Sequence, residues 1–229
     1  MSRANAFVHP EWGPYSIDIH HVRVCILKAV QDALPLFHGT ILDVGCGEMP
    51  YRDLLLEAPS RATRYIGLDI PGNTYSRCKP DVRWNGAVIP LRDASVESAL
   101  ATQVLEHCPE PLRTLSEIHR VLKPGGVLLI TVPFLWPIHD PPYDEYRYTP
   151  FSLERLLCEA GFEKRRIRFQ AAGLRVRLFR CRIKRRPAGP QPVIPAHCPA
   201  IDRRAGAERH RVKRLSPARI VSERTLQAA

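Results

Sequence analysis

Residues Asp43-Val44-Gly45-Cys46-Gly47 place an acidic side chain directly before a Gly-x-Gly turn. Glycine lets backbone approach a ligand closely, and Gly-x-Gly between an apolar run and a helix suits nucleotide-like cofactors. About twenty residues on, Asp69 closes a second apolar run, where a carboxylate can accept hydrogen bonds from both hydroxyls of a ribose. The dinucleotide fingerprint needs a third glycine three residues after the second, and Pro50 stands there. No Gly-Lys-Ser/Thr follows, so a phosphate loop also fails. Asp43 instead suits a cofactor that carries positive charge, an ammonium or a sulfonium, and no phosphate.

These residues must be delivered by strands that end at them. Residues 40–44 form a short apolar run ended by glycine, hence a buried strand. Residues 65–70 form a second, stopped by Pro71-Gly72. A helix is expected over 51–58, and weaker strand character over 98–102. Leu112, Leu115, Ile118 and Leu122 share a face of a helix over 111–122, bounded by Pro111 and by Lys123-Pro124-Gly125-Gly126. Residues 127–132 read as a buried strand, 152–159 as a helix capped by Ser152 and ended by Gly161, and 162–169 as an alternating strand. Apolar residues at helical spacing over about 17–36 read as an entry helix. Strands alternating with helices predict an α/β fold: a Rossmann-like, doubly wound, mostly parallel sheet.

The net charge is +11, but it is unevenly spread. Residues 163–229 carry 19 Lys/Arg and 4 Asp/Glu, a net of +15, so residues 1–162 are mildly acidic at −4. Whole-chain basicity is therefore no argument for a nucleic-acid partner. After about Ala171, Arg, Pro and Ala dominate. That stretch is either a basic disordered tail or sequence from a shifted reading frame, and both readings stay open. The expected organisation is a domain over 1–171, with its motif core at 38–163, and a basic tail over 172–229. Seven dispersed cysteines with no C-x-x-C pair fit reduced thiols. No run of about eighteen apolar residues exists, so no membrane partner is expected. The N-terminus does not read as a secretory signal, and a cytoplasmic location is expected.

The blocks ILDVGCGEMPY, YIGLDI, TQVLEHCPEP and HRVLKPGGVLLITVP, in this order, resemble the class I S-adenosylmethionine-dependent methyltransferases of the group often called methyltransferase type 11. The resemblance covers residues 38–163. The stretch PFLWPIHDPPYDEYRYTPFSLERLLCEAGF is similar to a branch whose members often act on small metabolites or sugar-containing precursors. The resemblance implies that Asp43, Gly45, Cys46 and Gly47 line the methionine end of S-adenosylmethionine. Asp69 would hold the ribose, with Ile70 against adenine. Asn85 stands where the group has an acid for the adenine amine; its side-chain oxygen can still accept. Gln103 and Val104 would flank the transferable methyl. His107, Trp136, Tyr143, Tyr146 and Arg147 would meet the acceptor.

Asp140-Pro141-Pro142-Tyr143 matches the motif of enzymes that methylate amino groups of adenine or cytosine, where it follows the fourth strand. Here it follows the fifth by chain order, so nucleic acid is not expected as a partner. Glu106-His107 resembles part of a divalent-metal pattern in some quinone-ring methyltransferases, but Gln103 replaces its further acid. A structural or acceptor-contacting role is expected there, and no metal. His139, with Asp140 beside it, is the expected general base. The fold normally ends in an antiparallel hairpin. Its last strand would have to come from the arginine-rich 175–181, with prolines soon after, so the hairpin is expected to be incomplete. The expected reaction is methyl transfer to an oxygen, less readily a nitrogen, of a small-molecule or sugar-containing acceptor. An RNA or protein methyltransferase aided by the tail, and a non-enzymatic relic, are the alternatives.

Overall fold

The computed structural model describes residues 5–13, 17–71, 78–164, 167–172 and 176–182. A short helix α1 (Asn5–Val8) precedes α2 (Ile17–Ala33), the expected entry helix. Pro35 has no N–H to continue it, and the chain tightens into a 3-10 turn at Leu34–Leu36. Then follow β1 (His38–Val44), α3 (Arg52–Leu56), β2 (Arg61–Asp69), β3 (Val82–Arg83), β4 (Val96–Thr102), α4 (Pro111–Val121), β5 (Leu122–Pro133), α5 (Pro150–Glu159), β6 (Arg168–Ala172) and β7 (Val176–Arg182).

The sheet order is β3-β2-β1-β4-β5-β7-β6. The first five strands are parallel, and β7 runs antiparallel to both its neighbours. Both faces are covered, which is why β1, β4 and β5 read as continuous apolar runs rather than alternating ones. Along β5, Leu128, Ile130 and Val132 join a core with Leu115, Ile118, Val121, Leu153 and Leu157. Val127 and Leu129 enter the opposite core with Ile26, Val30, Phe37 and Leu55. Leu112, expected on the buried face of α4, is exposed. Helix α5 starts two residues before the expected position. Thr149 is its N-cap, and Thr149 and Ser152 form a reciprocal capping box that leaves Pro150 in the first turn.

The C-terminal hairpin, expected to be incomplete, is formed. β6 pairs β7 from Arg168↔Arg180 to Ala172↔Val176. β7 pairs β5 from Val127↔Arg182 to Pro133↔Val176. The ladder depends on backbone N–H groups, and no residue of β7 is a proline. The prolines that forbid a central strand begin at Pro187, after the strand has ended. The sheet therefore runs past Ala171. Residues 187–229, expected to be unstructured, lie outside the described residues.

Candidate functional site

The strand order reverses between β1 and β4, and ligands of open α/β sheets bind outside the carboxyl ends of the strands at such a point. Asp43 stands there on β1 with Gly45 just after it, Asp69 on β2, and Gln103 and Val104 after β4. Both glycines of the loop have positive φ, +67° at Gly45 and +52° at Gly47. Amides of Gly45 and Cys46 donate to the Leu68 carbonyl at 2.8 and 3.1 Å, tying the loop to β2. A Cβ on Gly45 would lie 2.5 Å from Val104 Cγ2, whereas nothing lies within 4 Å of one on Gly47. The chain therefore leaves open space at the second glycine.

Two buried carboxylates stand at these strand ends. Asp69 accepts from Gly47 N–H at 2.9 Å and from Ile70 N–H at 2.7 Å, one bond to each oxygen. Asp43 accepts from the Tyr65 hydroxyl at 2.6 Å. Burial pushes the Asp43 carboxyl up to about 7, against the pull of the Tyr65 hydrogen bond and with the push of Asp69. The Cys46 thiol is raised by burial and by Asp43; it lies against Gly67 and donates to the Gly47 carbonyl at 3.9 Å. Ile70 packs at the rim of the core. The Asn85 side-chain oxygen, expected to accept from adenine, already accepts from Ala87 N–H and Val88 N–H, both at 2.9 Å. Gln103 has φ +53°, and its amide donates to Thr131 Oγ1 at 3.2 Å.

Residues 42–130 match the family described as a methyltransferase domain. Over this stretch the chain is similar to S-adenosylmethionine-dependent methyltransferases. The chain is 36% identical over 135 residues to a Mycolicibacterium smegmatis protein named "Probable S-adenosylmethionine-dependent methyltransferase", an alignment covering 54% of this chain and 51% of that one. The chain thus spans about half the length of that curated relative. The fold is shared with an S-adenosylmethionine-dependent methyltransferase from Aquifex aeolicus, at TM-score 0.54 and 21% identity, over 76% of this chain and all of that one. It is also shared with the [4+2]-cyclase SpnF, at TM-score 0.54 and 20% identity, over 76% of this chain and 85% of that one. The same fold thus hosts more than one chemistry, and the site must carry the functional argument.

Beyond β5 the chain builds a loop over residues 134–149. Arg147 holds it together. Its guanidinium donates to the carbonyls of Trp136, Pro137 and Tyr146 and to both oxygens of Asp144, at 2.5 and 2.6 Å. Arg147, expected to meet the acceptor, makes all of these bonds within the loop. Tyr146 stacks on Tyr148, and its hydroxyl donates to Pro109 O. Asp144 also receives His139 N–H at 2.8 Å and lies 3.1 Å from His139 Nδ1. Burial pushes Asp144 up, yet Arg147 and His139 outweigh it and hold the carboxyl down at about 2. Asp144, not the adjacent Asp140, is thus the partner of His139.

The His107 and His139 rings meet edge to face, with centroids 5.0 Å apart. His107 Nδ1 lies 3.2 Å from the Tyr143 carbonyl, and its Nε2 lies 4.0 Å from Glu106 Oε1. Burial, then the neighbouring His139, lowers the basicity of His107. The Tyr143 carbonyl is the group that faces His107. Asp140–Tyr143 follows β5, the fifth strand, as chain order indicated. Sequence reasoning missed Tyr65, Thr131 and Asp144, which orient Asp43, Gln103 and His139. The signal for Asp144 was its i, i+3 spacing to Arg147.

Proposed function

We propose that the chain is an S-adenosylmethionine-dependent methyltransferase acting on an oxygen, less readily a nitrogen, of a small-molecule or sugar-containing acceptor. The observation that carries this reading is the strand-order reversal, where the unobstructed Gly47 donates its N–H to buried Asp69 and buried Asp43 ends the neighbouring strand. When bound, S-adenosylmethionine supplies a methyl carbon activated by its sulfonium. Asp43 offers negative charge to the methionine end and Asp69 offers acceptors to the ribose. The chain's remaining task is to align the acceptor and exclude water. Asp144 fixes the His139 tautomer with the proton on Nδ1, so Nε2 is the atom that takes a proton from an acceptor hydroxyl.

Isothermal titration with S-adenosylhomocysteine tests the cofactor half. Saturable binding that weakens in Asp69→Ala supports it, and absence of any binding returns the non-enzymatic reading. Transfer of a labelled methyl group to a panel of hydroxylated small molecules and sugar derivatives tests the acceptor half. Activity on such acceptors that falls in His139→Ala supports it. Robust labelling of RNA or DNA adenine instead would overturn it.

A further inference from the structure

Glu106, His107 and His139 each offer one ligand atom, and these atoms all lie within 4.8 Å of one another. Glu106 is fully buried, yet neither of its carboxylate oxygens has a hydrogen-bond partner. A buried acceptor left unsatisfied is costly, and such a group in a folded protein calls for an ion or other partner. The two imidazoles are oriented to supply the rest. His107 Nδ1 faces the Tyr143 carbonyl at 3.2 Å and His139 Nδ1 faces the Asp144 carboxylate at 3.1 Å. Oxygen partners place a proton on each Nδ1 and leave each Nε2 as a bare lone pair. This is how metal-binding histidines are held, with the second ring nitrogen donating to a carbonyl or carboxylate.

Distances fit as well. Ligands at about 2.1 Å around a tetrahedral ion sit roughly 3.4 Å apart. His107 Nε2 and Glu106 Oε1 are 4.0 Å apart and all three ligand atoms lie within 4.8 Å, so closure around an ion needs side-chain movement of roughly an ångström, which the loop carrying His139 can supply. Gln103 stands where a further acid would be, but its amide is turned to Thr131, and the third ligand comes from the loop after β5.

We infer that Glu106, His107 and His139 form a binding site for one divalent first-row transition-metal ion of the zinc or cobalt class. Two imidazoles and one carboxylate suit such ions better than the hard, all-oxygen cations. The open coordination positions take water. That they also take an oxygen of the acceptor rests on the methyl-transfer reading; the ion site itself does not. With an ion on Nε2, His139 is a ligand, and the acidity of an ion-bound hydroxyl replaces its role as base.

The test uses the full chain, stripped with a chelator and titrated with cobalt(II) without cofactor or acceptor. One equivalent should bind, with visible d–d absorption, and zinc(II) should displace it. His139→Ala and Glu106→Gln should each weaken binding at least about tenfold, and Asp144→Asn by about 10–100-fold through the held imidazole. His139 is on a half-exposed loop, so its variant keeps the core even if Glu106→Gln does not fold; circular dichroism checks both. Absence of saturable one-to-one binding overturns the site. So does binding unchanged in His139→Ala, which would put the ion elsewhere. Cofactor titration of the same samples separates this outcome from failure of the methyltransferase reading.

Discussion

At the scale of single residues, the cofactor loop has three distinguishable dependencies. Gly45 combines φ +67° with a Cβ direction that ends 2.5 Å from Val104 Cγ2. Gly45→Ala should therefore cost about 1–3 kcal/mol of stability. Val104→Ala in the same chain should recover the steric part and leave the backbone part, which urea denaturation of the single and double variants can resolve. Asp69→Ala removes the proposed ribose acceptor and the partner of Gly47 N–H together. It should weaken S-adenosylhomocysteine binding by about 1.5–3 kcal/mol, read by titration. Asp43 adds a pH dependence. Its carboxyl is raised to about 7, with Tyr65, Asp69, Tyr51 and Cys46 as the titratable groups coupled to it. A cationic ligand favours the carboxylate, so binding must release a proton where the free protein holds one, below about pH 7. Affinity should rise by about tenfold from pH 6 to pH 8 and then level off, and Asp43→Asn should flatten the curve. An equally steep curve in Asp43→Asn would assign the proton to another group. These three residues were legible because glycines and acids punctuate apolar runs. Their supports were not, because they depend on strand register. Thr131 reaches Gln103 only because it pairs with Thr102 across β4 and β5, and Tyr65 reaches Asp43 across β1 and β2.

At the scale of elements, the loop over 134–149 was the least readable part of the site. Its sequence offers histidine, aromatics, acids and an arginine without periodicity. Only the fold shows that Arg147 gathers three carbonyls and Asp144 into one clamp. Helix starts were nearly as elusive: Ser152 carries a capping signal, but Thr149 has the extended backbone of an N-cap and receives the Ser152 amide. Thr149→Ala should remove half of that reciprocal pair and cost about 1 kcal/mol of stability, seen as a lowered melting temperature. Cofactor binding should be untouched, since Thr149 lies beyond the loop and far along the chain from the glycine turn. An unchanged melting temperature would mean that the bonds between Thr149 and Ser152 contribute nothing net. The two-residue β3 was missed for a simpler reason: Val82–Arg83 is too short to show any period.

At the scale of the whole molecule, the arginines of residues 175–182 mislead a reader who judges a strand by its side chains. The parallel half of the sheet ends at β5, whose apolar run from Val127 to Val132 is buried on both faces. Such a strand left at an edge would present unpaired N–H and C=O groups beside apolar surface, a template for association with other chains. β7 closes that edge along the whole of Val127–Pro133, and β6 in turn covers β7. The described strands therefore extend to Arg182, past the boundary expected near Ala171. Two truncations separate these positions. A chain ending at Arg182 keeps every described strand and should remain monodisperse on size exclusion, bind S-adenosylhomocysteine like the parent, and shed much of the basic charge. A chain ending at Ala171 loses β7 entirely and strips β5 of one neighbour. It should aggregate or melt well below the longer fragment. Equal solubility and melting of the two fragments would show that the hairpin is dispensable to the fold. Failure of the longer fragment alone to match the parent would instead show that residues beyond 182 support the domain, and would move the boundary further along the chain.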